Sequence, residues 1–348
     1  MATGPGFPSS TNVYIPNMEA SGRLTVGYSR NTNKFRLPEY VQYVKSDNTV
    51  GLYMKLSPQE AGRVVTVQEY EWPDGQPRPM HTDGMEQFNM IEYRCHRYDY
   101  GTTMGWLTEK QASWPIVEQH AQIHAAKAMT ARTTRVLTVA TTAANWQTTA
   151  DPDLSANHTA TATALAGGQF DLSTTSTLYI KKALDKIAVL INEDTLGVVE
   201  QTQLHVIMNP NQARLAAESD EIHNYIKGSY FAQQEIIQGL HPNNKFGLPS
   251  QIYGYPICVE NCVQVTSRKG ATLAKGFAMP DQEWLVVSRV GDLDGVWGAP
   301  NFTTLTVMYY GEELGLTRFD DPKNELTEVH VTENTAELLT SPLSGYLV

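Results

Sequence analysis

Cysteine is scarce in this chain of 348 residues: Cys95, Cys258 and Cys262 are an odd number without regular spacing. That excludes a disulfide framework and predicts buried structural thiols in a reducing compartment. Cys258 and Cys262 stand four apart with no second pair beside them, so they do not read as a zinc site. No run approaches the ~18 apolar residues of a membrane span. The opening MATGPGFPSSTNVYIPN has neither the basic start nor the apolar stretch of a signal peptide. These absences predict a cytoplasmic chain with no membrane partner. Positive charge is short as well, with 26 Lys and Arg against 37 Asp and Glu and a net charge of −11. Between Ala271 and Val348, 12 acidic residues face 4 basic ones. Tight, phosphate-led binding of nucleic acid needs the opposite sign, so direct base reading is not expected.

Catalytic signatures are missing too. There is no G-x-S-x-G, no glycine loop before a Lys-Ser or Lys-Thr pair, and no dinucleotide fingerprint. His120 and His124 would share one side of a helix as a zinc pair does, but EQHAQIH lacks the intervening Glu of H-E-x-x-H, so both read as packing residues. GDLDGVWG, residues 291–298, offers Asp292 and Asp294 without the third ligand or closing Glu of a calcium loop, and reads as a turn. The sequon Asn157-His158-Thr159 has no meaning in a cytoplasmic chain. The expectation is a protein that is not an enzyme, with no catalytic residue, cofactor or metal.

What is present suits a folded chain with a sizeable core: 41% hydrophobic and 18% charged residues. The first ~35 residues are a polar arm without helical or strand period. RVVTVQEYE (63–71) and MEQFNMIEYRCHRYDY (85–100) read as the two strands of a long hairpin, and EYEWPDGQPRP (69–79) as its stiff tip. Its return strand mixes Phe88 and Met90 with Glu86, Glu92, Arg94 and Arg97, so the hairpin has no continuous apolar face and needs outside support. No glycine interrupts Trp106 to Ala166, and the periodicity within LTEKQASWPIVEQHAQIHAAKAMTARTTRVLTV (107–139) predicts a helix of about 20–25 residues, roughly 30–38 Å long. Thr108, or Ser113 with Pro115 behind it, is the expected cap. Residues 141–168 are small and polar and read as a loop between units. Ile180, Leu184, Ile187 and Ile191 mark a helix face that Gly197 ends, and Asn209 caps a second helix with Pro210 in its first position. EWLVVSRV, FTTLTVMYY and LTEVHVTEN read as strands, giving an α+β chain without βαβ alternation or internal repeats.

The order of these parts, with VIMNPNQARL (206–215) and GLPSQIYGYPICVEN (247–261), resembles the major capsid proteins of tailed bacteriophages, the Hong Kong 97-type fold. The resemblance implies an N-terminal arm and lead-in at 1–63 and an extended β-hairpin loop at 64–100. It further implies a peripheral domain at 101–144 with a spine helix at about 108–137, an axial domain at 145–300, and returning strands of the peripheral domain at 301–348. It implies a structural protein that self-assembles into hexamers and pentamers of an icosahedral head in the virion, put together in the bacterial cytoplasm. The expected partners are a portal protein, a scaffolding protein, a decoration protein and non-specifically contacted double-stranded DNA. Some members weld neighbours through a lysine on the extended loop. Val64 to Tyr100 contains no lysine, and the nearest are Lys55 and Lys110, so non-covalent contacts are expected here. The loop tip, Trp72, Pro73, Asp74, Gly75, Pro77, Arg78 and Pro79, is the expected subunit interface. An encapsulin-type compartment shares the fold, and a cytoplasmic hydrolase using paired acids or His120 and His124 is the alternative from another class.

Overall fold

A computed structural model of the chain describes residues 35–55, 57–58, 72, 74–77, 89–112, 115–160, 180–238, 247–290 and 302–348. The arm up to residue 34, the strand expected at 63–71 and the turn expected at 291–298 lie outside them. No helix among the described residues is long and apolar enough to cross a membrane.

Two sheets carry the chain. The first is built on β14 (Leu326–Leu339), whose alternation buries Thr327, Val329, Val331, Glu333 and Thr335 on one face. One side of β14 pairs antiparallel with β4 (His96–Gly105). Its other side pairs with β13 (Gly315–Asp321) and then β12 (Leu305–Tyr310), to which β1 (Gln42–Ser46) adds in parallel. A short helix, α1 (Leu37–Tyr40), leads into β1.

The helix expected at 108–137 is divided into α2 (Trp106–Gln111) and α3 (Ile116–Thr141). Pro115 forces the break, because its ring removes a helical N–H and disfavours helical backbone just before it. Thr108 falls inside α2 and caps nothing; Pro115 itself is the N-cap of α3. α3 lies against β14 and buries His124, Ala128, Arg132, Val136 and Ala140 along one row, with Thr133 and Leu137 beside it. Thr130, Thr133, Thr134, Thr138 and Thr141 each return a hydroxyl to the carbonyl four residues back at 2.8–2.9 Å, which satisfies these side chains within the helix. Beyond its end a single turn places Trp146, fully buried, with its indole N–H donating to the Ala140 carbonyl at 2.7 Å.

In the second sheet β5 (Leu204–Met208) runs parallel to β7 (Tyr255–Val259) and antiparallel to β10 (Leu285–Val290). β6 (Gln251–Ile252) pairs with β7, while β11 (Phe302–Thr303) and β15 (Tyr346–Leu347) pair with β10. One face packs Leu204, Val206 and Met208 on α4 (Ile180–Asp194) through Ile180, Leu184, Ile187 and Ile191, the face read from the sequence. The other face packs Ile207, Leu285 and Val287 on Val136, Leu137, Ala140 and Trp146, so one core joins the two sheets through the end of α3. Three helices follow around this unit: α5 (Pro210–Glu218), α6 (Asp220–Gly228) and α7 (Tyr230–Gln238). Asn209 caps α5, its side-chain oxygen accepting from the Gln212 N–H at 2.8 Å with Pro210 first in the helix, as the sequence predicts. A separate small hairpin joins β8 (Val263–Val265) to β9 (Lys275–Phe277).

In the stretch expected to be a loop between units, of which residues 141–160 are described, Trp146, Leu154 and His158 are buried. His158 is fully buried, with Nε2 2.8 Å from Asp194 and Nδ1 2.7 Å from the Gly345 carbonyl. Both ring nitrogens thus lie within hydrogen-bond reach of an oxygen. Burial pushes the Asp194 carboxyl up, and the bonds from His158 and Ser155 more than reverse that, holding it below its ordinary value. The pair fastens the C-terminal strand, and Gly345 permits the approach: a Cβ there would lie 2.5 Å from the Thr304 methyl. Within 301–348, therefore, β12 to β14 lie in the first sheet, whereas β11 and β15 join the second.

All three cysteines are buried thiols, as expected. Glu260, beyond the end of β7, is completely buried and accepts from the Tyr40 hydroxyl at 2.9 Å and the Cys262 N–H at 3.0 Å. Burial pushes its carboxyl from 4.5 up to about 7 despite those bonds. The folded state thus holds a proton that the unfolded state releases. The stability contributed by this group is complete below pH 4.5 and is lost as pH rises through about 7. Urea unfolding across this window should show a decline on the order of 3 kcal/mol from this group, which Glu260→Gln removes.

Candidate functional site

The buried face of β14 carries a carboxylate where an aliphatic side chain would be ordinary, and α3 meets it with two arginines. Arg132 donates from Nε to Glu333 at 2.9 Å, and from Nη1 and Nη2 to the Glu313 carboxylate at 2.6 Å and the Glu313 carbonyl at 2.8 Å. Arg135 donates to the other Glu333 oxygen at 2.7 Å and to Glu337 at 2.8 Å, and its guanidinium stacks 3.8 Å from the Tyr98 ring centroid. Arg132 and Glu333 are each 1% exposed. Burial alone would lower both guanidinium pKa values, but Glu333 and its neighbours raise them above the ordinary value, so the charges are firmly held.

This network fixes the sheet that launches the hairpin. β3 (Asn89–Arg94) runs through Cys95 into β4, and its antiparallel partner is β2 (Val50–Lys55). The described pairing therefore starts at Val50 rather than near Val64. One hairpin face leans on the body: the Tyr93 and Ser46 hydroxyls lie 2.8 Å apart, and Lys55 is bound by Asp151 and, at 2.9 Å, Asp153. Between this face and the end of α3 lies a cleft of about 500 Å³, lined in part by Tyr53, Ile91, Val139 and Leu339. The opposite face presents Val50, Leu52, Met54 and Met90 to solvent, with Leu52 62% exposed. At the tip, Trp72 is 54% exposed, and its indole N–H closes the turn on the Gln76 carbonyl at 2.7 Å. Asp74, Gly75 and Pro77 are exposed, and Gly75 has the positive φ, +79°, that a turn of this kind asks of glycine. Pro73, Arg78 and Pro79 lie outside the described residues.

No family model matches the chain, and neither does any curated protein. Solved structures do match. A phage-related protein of Bordetella bronchiseptica RB50 is similar over 91% of this chain and 92% of its own, at 9% identity and a TM-score of 0.59. The mature capsid of bacteriophage PhiM1 matches over 93% and 89%, at 13% identity and 0.51. A structure from Microbacterium phage Oxtober96 matches over 96% and 98%, at 9% identity and 0.52. The chain has the Hong Kong 97-type capsid fold. At these identities the likeness is one of fold.

In this capsid fold the open hairpin face is one of several exposed apolar patches. Other exposed apolar side chains are Val263, Val265 and Leu273 on the β8–β9 hairpin, Leu316 and Phe319 on opposite faces of β13, and Tyr230, Phe231 and Ile237 on α7. None was singled out from the sequence. Their signal is an apolar residue at a strand edge or beside a turn, which one chain read alone does not separate from core. His120 and His124 stack at 6.3 Å between ring centroids, with no group of three metal-ligating side chains among the described residues. His124 is buried with both ring nitrogens unpartnered, and burial, Lys127 and His120 lower its pKa. Asp292 and Asp294 lie outside the described residues. Glu333→Leu should cost about 3–5 kcal/mol in denaturant unfolding, because it removes the buried carboxylate that Arg132 and Arg135 share and leaves the donors that face it unmatched. Adding Arg132→Met should return much of that loss, and simple additivity of the two would contradict a coupled network.

Proposed function

We propose that the chain is the major subunit of a phage-type head, assembling as hexamers and pentamers into an icosahedral shell around double-stranded DNA. The single observation that carries this reading is the β2–β3 hairpin: it is anchored on one face and carries an open row of Val50, Leu52, Met54 and Met90 on the other. A subunit alone leaves that row in water. Neighbours arranged around a ring can cover it, and each contact is then repeated at every position. The capsid fold supports the same reading, as does the Trp72 tip, whose turn is already closed and so loses little freedom on docking. The role is structural, not catalytic.

Contacts between subunits are non-covalent. The hairpin's described lysine, Lys55, is engaged by Asp151 and Asp153, and none occurs from Val64 to Tyr100. The acidic surface suits a wall that touches packaged DNA without gripping it. Portal, scaffolding and decoration proteins are the partners of such a head, in the virion and in the bacterial cytoplasm where it forms. The peripheral unit corresponds to the first sheet with α3, and the axial unit to the second sheet with α4 to α7.

Electron microscopy of the expressed protein should show closed particles; a monomer at all concentrations refutes the shell. Particles filled with a protein cargo in place of DNA would point to an encapsulin-type compartment instead. On a denaturing gel the particles should run as one band, and a ladder of covalent oligomers would overturn the non-covalent assignment. Trp72→Ala should leave the subunit's melting temperature unchanged and lower particle yield. Wild-type yield and particle stability would remove the tip from the interface.

A further inference from the structure

The β8–β9 hairpin is charged against the trend of the chain. From Asn261 to Pro280 there is no acidic residue, while Arg268, Lys269 and Lys275 are basic, in a protein of net charge −11. None of the three makes an ion pair among the described residues. The hairpin is well formed: Ala278 N–H donates to Cys262 at 2.9 Å, Thr266 N–H to Ala274 at 3.1 Å, and Ala271 N–H closes the tip on Arg268 at 3.1 Å. Register places Val263 opposite Phe277 and Val265 opposite Lys275, so these four share one face, and exposed Leu273 continues it toward the basic tip. Cations beside an open apolar face ask for a partner with carboxylates beside apolar side chains.

The chain carries that complement elsewhere. β13 lies at the edge of the first sheet, bonded to β14 on one side and to no strand on the other among the described residues. Leu316 and Phe319 stand out from its two faces, 64% and 56% exposed, on either side of the open edge. From Tyr310 to Glu328 six acidic residues face two basic ones, and Glu312, Asp320 and Glu325 are exposed. We infer that the β8–β9 hairpin of one subunit docks on the acidic β13 edge of a second copy of this chain. Two unlike patches on one chain make a head-to-tail contact, which closes into a ring when the rotation permits and otherwise runs on as a filament. Nucleic acid would use the cations alone and leave Val263, Val265 and Leu273 in water, whereas the second copy covers both. The inference rests on the shell reading above and assigns one of its contacts.

A charge-swap experiment on the full chain tests it. One variant carries Arg268→Glu, Lys269→Glu and Lys275→Glu; another carries Glu312→Lys, Asp320→Lys and Glu325→Lys; a third combines all six. A milder variant, Arg268→Ser with Lys269→Ser, keeps the test informative if a triple reversal misfolds, and circular dichroism melts identify the folded variants. By sedimentation velocity each reversal should weaken self-association roughly tenfold or more, and the milder variant by less. Wild-type association should weaken with salt, and the six-fold swap should recover most of the loss. Folded variants that associate like wild type, or a folded six-fold swap without recovery, overturn the contact while the shell stands. Hairpin-reversed particles that assemble normally but retain less DNA overturn it in favour of nucleic acid. A wild-type chain that never associates removes the shell reading, and this contact with it.

Discussion

Glu333 is a carboxylate with no exposure to water, and its two arginine partners reach it from one helix. Removing such a charge from solvent costs several kcal/mol, which is offset only when every oxygen is matched at short range. Here it is matched: Arg132 and Arg135 take the two oxygens, Glu313, Glu337 and the Tyr100 hydroxyl accept from other guanidinium donors, and Tyr98 covers one cation. An apolar contact between α3 and β14 would tolerate sliding by a turn. A bifurcated ion network does not, because any slip leaves a buried charge alone. Helix and sheet are therefore held in one register, and everything built on β4 inherits it.

That register sets where the open surfaces lie. β3 continues directly into β4, so the direction of the β2–β3 hairpin follows from how the first sheet sits on α3. The other end of α3 enters the second core through Val136, Leu137, Ala140 and Trp146. One helix thus fixes two sheets, and the His158–Asp194 pair fastens the C-terminal strand across them. Hairpin, β13 edge and β8–β9 turn project from this rigid frame with their apolar side chains uncovered. Surfaces held in fixed relative positions suit the ring-like association proposed above, since there each contact must point in the right direction before any partner arrives.

Much of the second unit was legible in the sequence because its signals are local. Ile180, Leu184, Ile187 and Ile191 repeat at helical spacing against a sheet that buries them all, and Asn209-Pro210 is a cap defined by adjacent residues. LTEVHVTEN alternates because one face of β14 is covered and the other is not. α3 was harder to read. Its buried row runs through His124, Arg132 and Thr133, so the stripe that packs is not the apolar one, and the break at Pro115 falls inside a segment whose composition is otherwise helical throughout. His158 was dismissed with the polar loop around it, since its partners Asp194 and Gly345 are 36 and 187 residues away.

The sequence by itself determined the apolar face of α4, the Asn209 cap, the alternation of β14 and the lack of catalytic motifs, because these follow from neighbours within about a helical turn or along one strand. It also carried the resemblance to the Hong Kong 97-type capsid fold, which the solved structures support. Only the tertiary structure decided that Val50–Lys55 is the partner of the return strand, that Glu333 is a hub and not a solvated acid, and which apolar residues are left open. The physical reason is the same in each case: burial is a property of what arrives from elsewhere in the chain, and a carboxylate or a valine has the same local pattern whether a distant arginine covers it or water does.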